Sequence, residues 1–548
     1  MKAKLRCKFV IGLLAGVFLG SSASINAQTN YYFYVQFSNK NNSPYSLSAP
    51  TAYLSPRAVT RRASFGLSCD STDLPVNPAY LQQIENVGIH VHSRSKWMNG
   101  ATVILTDSTK MSLIRALPFV RFVEYTGKLV GAALAPKQKV KTQTNLDYGI
   151  AATQINQLNG KSLHNEGFLG KGIQIGVIDA GFMNVNTNLC FDSLRLQYRL
   201  LGTKDIINPT SDIYAEDAHG AMVLSTMTGN LPGIYLGTAP EASYWLIRTE
   251  YEPTEYKVET DFWCSGIEFA DSVGVDVVNS SLGYYTFDDP TMGFTYADMN
   301  GKVSRASRAA NLASKKGIIV VVSAGNEGNK PWHYIGSPAD AEGIVTVGAV
   351  QADSTSSVFS SFGPSADNRV KPELCAMGTG SAIINTVGIT SNKDGTSFAS
   401  PIMAGMIACL LQRYKAYDPN PIVDVFLNSL FASANLRNNP TIQKGYGIPN
   451  FRIAEQNLPF YDSLFITNKS IFTLGYNSLY KTLRIKFTDK INPERAFVRI
   501  YSTTGKLVLK QQIFDTTSYL KLDKIIVGIY AVSVSLDGTI ETKKIIIQ

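Results

Sequence analysis

A chain of 548 residues exceeds what one hydrophobic core of ordinary size organises, so several folded units are expected. Hydrophobic residues make up 45% and charged residues 17%, a balance that excludes long disordered stretches. The formal charge of +9 sits toward the N-terminus: residues 1–27 carry four basic residues and no acid, residues 28–147 carry 13 basic and six acidic, and the remainder 34 basic and 36 acidic. That distribution removes nucleic acid as an expected partner.

In chain order, Lys2, Lys4, Arg6 and Lys8 precede an apolar run of about eleven residues and then small residues up to Ala27, the pattern of a secretory signal peptide covering residues 1–27. The run is too short for a hydrocarbon core that needs about twenty residues. No later stretch reaches that length, so no transmembrane segment is expected in the mature chain. Residues 31–125 mix short strands (YYFYVQF, ATVILT, VRFVEY) with helical patterns near Pro78 and Met111, which predicts a small α+β domain. The aperiodic, small and polar stretch after it, with Lys137, Lys139 and Lys141, reads as an exposed linker over 126–147.

From 148 to 458, apolar strand-like runs alternate with helical patterns, which predicts an α/β domain with a parallel sheet covered by helices. Beyond residue 459 short alternating strands predict a separate all-β sandwich domain. Of the cysteines after the signal peptide, Cys375 and Cys409 lie in apolar patterns and read as buried free thiols, while a Cys190–Cys264 bridge is open in an exported protein. Cys69 carries no reading.

Three core runs, 173–178, 275–278 and 318–322, end in Asp179-Ala180-Gly181, Ser281-Leu282-Gly283 and Ser323-Ala324-Gly325-Asn326. Sites in open α/β sheets form at the carboxyl ends of strands. His219-Gly220 and Gly395-Thr396-Ser397 each open a helical pattern and bring further reactive groups. A serine hydroxyl needs a base and a group that orients the base. Three histidines follow the linker. His219 stands at a glycine-flanked helix start, His164 lies in a polar stretch that reads as surface, and His333, after Trp332 near the glycine-rich loop, reads as a candidate to line the cleft. At a helix start, Ser397 has a free backbone N–H for an oxyanion, with the Asn326 side chain as a second donor.

These segments, DAG, HG, SLG, SAGNEG and GTSFASP, in the order Asp, His, Asn, Ser, resemble the subtilisin family over residues 148–458. The order separates the chain from α/β-hydrolase esterases, which run Ser, Asp, His and carry a G-x-S-x-G elbow. The resemblance implies that Ser397 attacks, His219 transfers the proton, Asp179 orients His219, and Asn326 with the Ser397 amide holds the oxyanion. It also implies that Ser281, Leu282 and Gly283 bind the substrate backbone by strand addition, with Ala324 and Gly325 beside them; Glu327, directly after Asn326, is expected to face a basic substrate group. Two departures are visible: HGAMVLST lacks the second histidine usual after the first, and KPELCAMG replaces the commoner KPD-x-x-APG.

Residues 28–147 resemble the inhibitory propeptides of such enzymes, with a linker cut by the enzyme itself, so the chain's own prodomain is an expected partner beside peptide substrates. Residues 459–548, with IYSTTGKLVL, GIYAVSV and terminal KKIII, resemble type IX secretion sorting domains, which implies export through the periplasm of a Gram-negative bacterium by that machinery. No cofactor or metal is expected for the chemistry. The acidic segment 250–261 (Glu250, Glu252, Glu255, Glu259, Asp261) reads as a solvated loop, a cleft wall favouring basic side chains, or a calcium site. The rival function is a catalytically silent surface-binding protein of the same fold.

Overall fold

The computed structural model describes residues 29–105, 108–129, 147–418, 423–458, 472–477, 481–487, 496–513, 517–536 and 539–547. The signal peptide reading therefore lies outside the described residues, as does most of the linker. The described end of the linker differs from expectation: Thr126 to Leu129 continue the strand Val120–Leu129.

The central sheet has seven parallel strands in the order Leu374–Met377, Val345–Val350, Ile319–Ser323, Val277–Ser280, Gln174–Asp179, Ser243–Arg248, Leu200–Asp205. Its residues alternate between two cores with the period of two that a strand imposes. Ile175, Val177, Val277, Ile319 and Val321 enter one core, with the helices His219–Thr228 and Thr396–Tyr417. Ile178, Val278, Val320 and Val322 enter the other, with the helices Val258–Val273 and Arg305–Lys315. Burial on both faces explains why these strands read as unbroken apolar runs. After Gln174–Asp179 the chain lays the edge strand Leu200–Asp205 and then Ser243–Arg248 between them, before it crosses to Val277–Ser280 and builds outward on the other side, so a topological switch point lies between Gln174–Asp179 and Val277–Ser280. A crevice opens there at the carboxyl ends of the strands.

The N-terminal unit is a four-stranded antiparallel sheet, His90–Ser95, Gly100–Leu105, Asn30–Phe37 and Val120–Leu129, with the helices Pro56–Ser64, Pro78–Asn86 and Met111–Arg115. One face holds its own core. The other contributes Tyr32, Tyr34, Trp97, Met98 and Leu129 to the second core of the central sheet, packed on the helix Val258–Val273. A buried ionic network reinforces this contact. Asp271 meets Arg61 at 2.6 Å, Arg62 at 2.8 Å and Lys96 at 3.1 Å. Glu268 accepts hydrogen bonds from the Lys96 and Trp97 amides at 2.7 and 3.1 Å. Burial alone would raise the Asp271 pKa, but the three cations outweigh it and hold the carboxyl well below its usual range.

The C-terminal unit has a three-stranded and a four-stranded antiparallel sheet around a core that draws on no described residue before Phe472. Among the described residues five cysteines are free, and four of them are buried. The Cys190–Cys264 bridge is ruled out by the fold, because the two side chains enter the two different cores.

Candidate active site

Asp179 ends the strand Gln174–Asp179 and is fully buried. His219 is the first residue of its helix and keeps 31% of its side chain exposed. The two meet through a hydrogen bond from His219 Nδ1 to Asp179 Oδ1 of 2.7 Å. Glycine makes this approach possible. A Cβ at Gly220 would lie 2.3 Å from the Gly181 carbonyl oxygen and 2.8 Å from Asp179 Cβ, and one at Gly181 would lie 2.3 Å from the Asp217 amide nitrogen. The DAG and HG glycines thus let two loops touch backbone to backbone. Asp217 Oδ1 accepts the His219 amide at 2.7 Å and sets the helix start.

Burial disfavours the charged ring of His219, yet the Asp179 carboxylate, with Asp217 and Glu250 further off, prevails and raises its pKa above the ordinary imidazole value. A base of this kind carries its proton until a higher pH than a free histidine.

Ser397 is the second residue of the helix Thr396–Tyr417, where the backbone N–H has no intrahelical acceptor. Its hydroxyl donates to the Ser281 carbonyl at 3.4 Å, and the Ser281 hydroxyl donates to the Ser397 carbonyl at 2.8 Å. Among the described residues no hydrogen bond joins Ser397 to His219, although the ring of the adjoining Phe398 lies 6.1 Å from the His219 ring. Asn326 Oδ1 accepts from the Thr396 amide at 2.9 Å and the Thr396 hydroxyl at 3.0 Å. That leaves Nδ2 as the donor still to be used. The Thr396 hydroxyl also accepts the Gly325 amide at 3.1 Å, so one threonine ties the asparagine loop to the serine helix. Thr396 and Asp217 were missed as site residues from sequence; adjacency to Ser397 and His219 was their only signal.

The switch point thus gathers Asp179, His219, Ser281, Asn326 and Ser397. Gly283 is exposed, and a Cβ there would meet only the Ser337 carbonyl at 3.9 Å. Leu282 is 9% exposed. Ala324 is buried, and its amide bonds Val347 O at 3.0 Å. Glu327 is engaged: Lys330 lies 3.0 Å from one oxygen and the Tyr285 hydroxyl donates to the other at 2.8 Å. A basic substrate group would compete with Lys330 for it.

His164 is not a surface residue. It is 1% exposed, bonded to the Tyr148 hydroxyl at 2.9 Å and the Thr238 carbonyl at 2.9 Å, and burial pushes its pKa down to about 4. His333 is exposed, stacks on Phe362 and bonds the Gly328 carbonyl at 3.1 Å.

Of the acids in the segment 250–261 only Glu252 is exposed, so it is not a solvated loop as a whole. Glu259 is fully buried and accepts the Tyr251 and Tyr256 amides, and buried Asp261 pairs with Arg305. Glu250, Glu255 and Glu259 bring carboxylate oxygens within 4.8 Å of one another. Burial, joined by Asp179, raises Glu250 to about 7, and burial, joined by Glu250 and Asp288, raises Glu255 to about 9. These are oxygen donors of the kind calcium takes, beside backbone carbonyls and water.

A parallel sheet whose switch point carries an aspartate, a histidine and a helix-start serine defines the class of serine hydrolases with a subtilisin-like site. Residues 170–448 match the Subtilase family, residues 32–145 the peptidase S8 propeptide domain of Bacteroidota, and residues 479–548 the secretion system C-terminal sorting domain. The chain belongs to the subtilase family, and it is a subtilisin-like serine endopeptidase with a propeptide.

Subtilisin DY of Bacillus licheniformis is 28% identical over 272 residues, 49% of this chain and 85% of that one. Subtilisin NAT of Bacillus subtilis subsp. natto is 27% identical over 379 residues, 68% of this chain and 85% of that one. Among solved structures, the prenylagaramide maturation protease PagA matches with a TM-score of 0.44 and 22% identity, over 55% of this chain and 98% of that one. The sorting domain marks the chain for type IX secretion to the surface or medium of a Gram-negative bacterium. No helix among the described residues is long and apolar enough to cross a membrane.

Proposed function

We propose that the chain hydrolyses peptide bonds through an acyl-enzyme on Ser397 and removes its own prodomain. The observation that carries this reading is the 2.7 Å bond between buried Asp179 and half-exposed His219, at the edge where Ser397 begins its helix. Asp179 holds the proton on His219 Nδ1, which leaves Nε2 free to accept the Ser397 proton as the hydroxyl attacks the carbonyl. Asn326 Nδ2 and the Ser397 amide receive the oxyanion. Protonated His219 then gives its proton to the leaving amine, and a water deprotonated by the same ring releases the acyl group. The substrate backbone adds as a strand along Ser281, Leu282 and Gly283, opposite Ala324 and Gly325.

Self-removal is supported by the path of the prodomain. Its last strand runs along the acidic segment, with Glu124 bonded to Lys257 at 2.7 Å. Gly127, at φ 138°, lies so close to Tyr256 that a Cβ there would stand 2.5 Å from its ring stem. The linker therefore starts beside the loop whose Glu250 bonds Tyr284, the residue after the substrate edge.

Labelling the mature protein with a fluorophosphonate tests the reading. A stoichiometric adduct on Ser397 is expected, and its absence from folded wild type would favour the silent-binder alternative. Asn326→Ala should acylate about 10²–10³ times more slowly, the loss typical of one oxyanion donor.

Export is expected to be separable from catalysis, since the C-terminal unit has its own core. Deleting residues 459–548 should leave kcat unchanged and strand the enzyme in the periplasm. Normal amounts of truncated protein in the medium or on the cell surface would contradict the assignment.

A further inference from the structure

We infer that Arg248 is a positioning residue for the Asp179–His219 pair. The inference rests on the function proposed above and extends it to a residue outside the five motifs. Arg248 ends the strand Ser243–Arg248 and stands in register with Asp179 on the neighbouring strand. It is 4% exposed. Its guanidinium makes three contacts at once: Nε donates to the Ala180 carbonyl at 2.8 Å, Nη1 meets Asp205 Oδ2 at 3.0 Å, and Nη2 meets Glu216 Oε2 at 3.1 Å.

Each contact belongs to a different loop of the site. Ala180 follows Asp179 directly. Glu216 precedes Asp217, which holds the His219 amide through its carboxylate and the Met183 amide, at 3.1 Å, through its carbonyl. Asp205 closes the neighbouring turn by accepting the Ile207 and Asn208 amides at 2.8 and 2.9 Å and the Ser211 hydroxyl at 2.6 Å. The next residue, Thr249, donates its amide to the Asp179 carbonyl at 3.1 Å. One planar cation therefore fixes the loop carrying Asp179 against the loop carrying His219.

Only arginine suits this place. A lysine is a compact point charge without a fork and cannot serve a carbonyl and two carboxylates in one plane. The acids facing His219 are Asp179 from the adjoining strand, Asp217 from its own loop and Glu250 beyond Arg248. Arg248 touches none of them side chain to side chain in the bonds described, so its effect on His219 is one of placement. The substrate edge at Ser281–Gly283 shares no contact with it, so substrate affinity should not depend on it.

The test uses the full chain with Arg248→Lys and, separately, Glu216→Gln. Glu216 keeps 26% of its side chain exposed, so that variant retains the fold whatever Arg248 does. Slowed maturation still yields mature enzyme for kinetics on a peptide substrate. Arg248→Lys should lower kcat about 10–100-fold, as a small misplacement of the pair does, with KM unchanged and every molecule still titrated by fluorophosphonate. Glu216→Gln should lower kcat by a smaller factor, also at constant KM. Unchanged kcat in Glu216→Gln together with unchanged kcat or a risen KM in Arg248→Lys would overturn the inference. So would a loss in Arg248→Lys that lies wholly in the titratable fraction while Glu216→Gln keeps full kcat. A wild type that forms no Ser397 adduct would instead remove the function on which the inference rests.

Discussion

Ser397→Ala should accumulate as a precursor that keeps residues 28 to about 140. The chain leaves the prodomain from the strand Val120–Leu129, beside Tyr256 and Lys257, and the nearest cleavage machinery is that of its own catalytic domain. The linker sequence GAALAPKQKVKTQT offers small and unbranched residues, which suit a substrate strand added to a cleft edge. Losing the nucleophile of a subtilisin costs about 10⁶ in rate, which would turn prompt maturation into none on a laboratory timescale. The uncut prodomain should stay in place, because Asp271 alone binds three of its cations in a buried setting. Purified Ser397→Ala precursor, free of other proteases, is followed by mass spectrometry. Loss of the prodomain at the wild-type rate would refute both the nucleophile and the self-processing.

Asp179→Asn should leave the fold intact and lower kcat by about 10⁴. The substitution is isosteric; among the described residues Asp179 Oδ2 has no hydrogen-bond partner, and besides His219 only the Ala180 amide, at 2.9 Å from Oδ1, is at stake. An amide can turn its NH₂ toward His219 Nδ1 and so place the ring proton on Nε2, where it can no longer accept from Ser397. The carboxylate is also the chief group that raises the His219 pKa against the effect of burial. Without it the ring gives up its proton at lower pH, so the acid limb of the kcat/KM profile should move down in pH as the plateau falls. A plateau within tenfold of wild type, or a limb that moves up, would show that Asp179 does not hold the ring.

Much of the site was legible because its residues sit at ends of elements that the sequence marks strongly. The runs 173–178, 275–278 and 318–322 are apolar at most steps, which is what a strand buried on both faces requires, and Asp179, Ser281 and Asn326 follow within four residues of them. The reading failed where a residue's surroundings come from far along the chain. His164 is followed by Asn165 and Glu166, yet Tyr148 and Thr238 enclose it. Glu259 opens a helix and looks solvated until the loop from Tyr251 folds back on it. The helix Pro56–Ser64 was not anticipated, although Ser55 before Pro56 is a cap signal and accepts the Ala58 amide. Its Arg61 and Arg62 would pass for surface residues in any local window. Only the acid that pairs them, 209 residues further on, makes their burial reasonable.

The shared ionic surface has a consequence for the time after cleavage. The prodomain region carries 13 basic and six acidic residues, while the chain from 148 onward is slightly acidic and would be left with Glu268 and Asp271 uncovered on the helix Val258–Val273. Two separated bodies of opposite charge find each other quickly, because the long-range field steers the encounter. Steering of this kind fades once ions screen it beyond about 8 Å at physiological salt. The freed inhibitor would therefore recapture the enzyme most readily in dilute, confined surroundings, and least readily where the enzyme has been carried out into a large and salty volume.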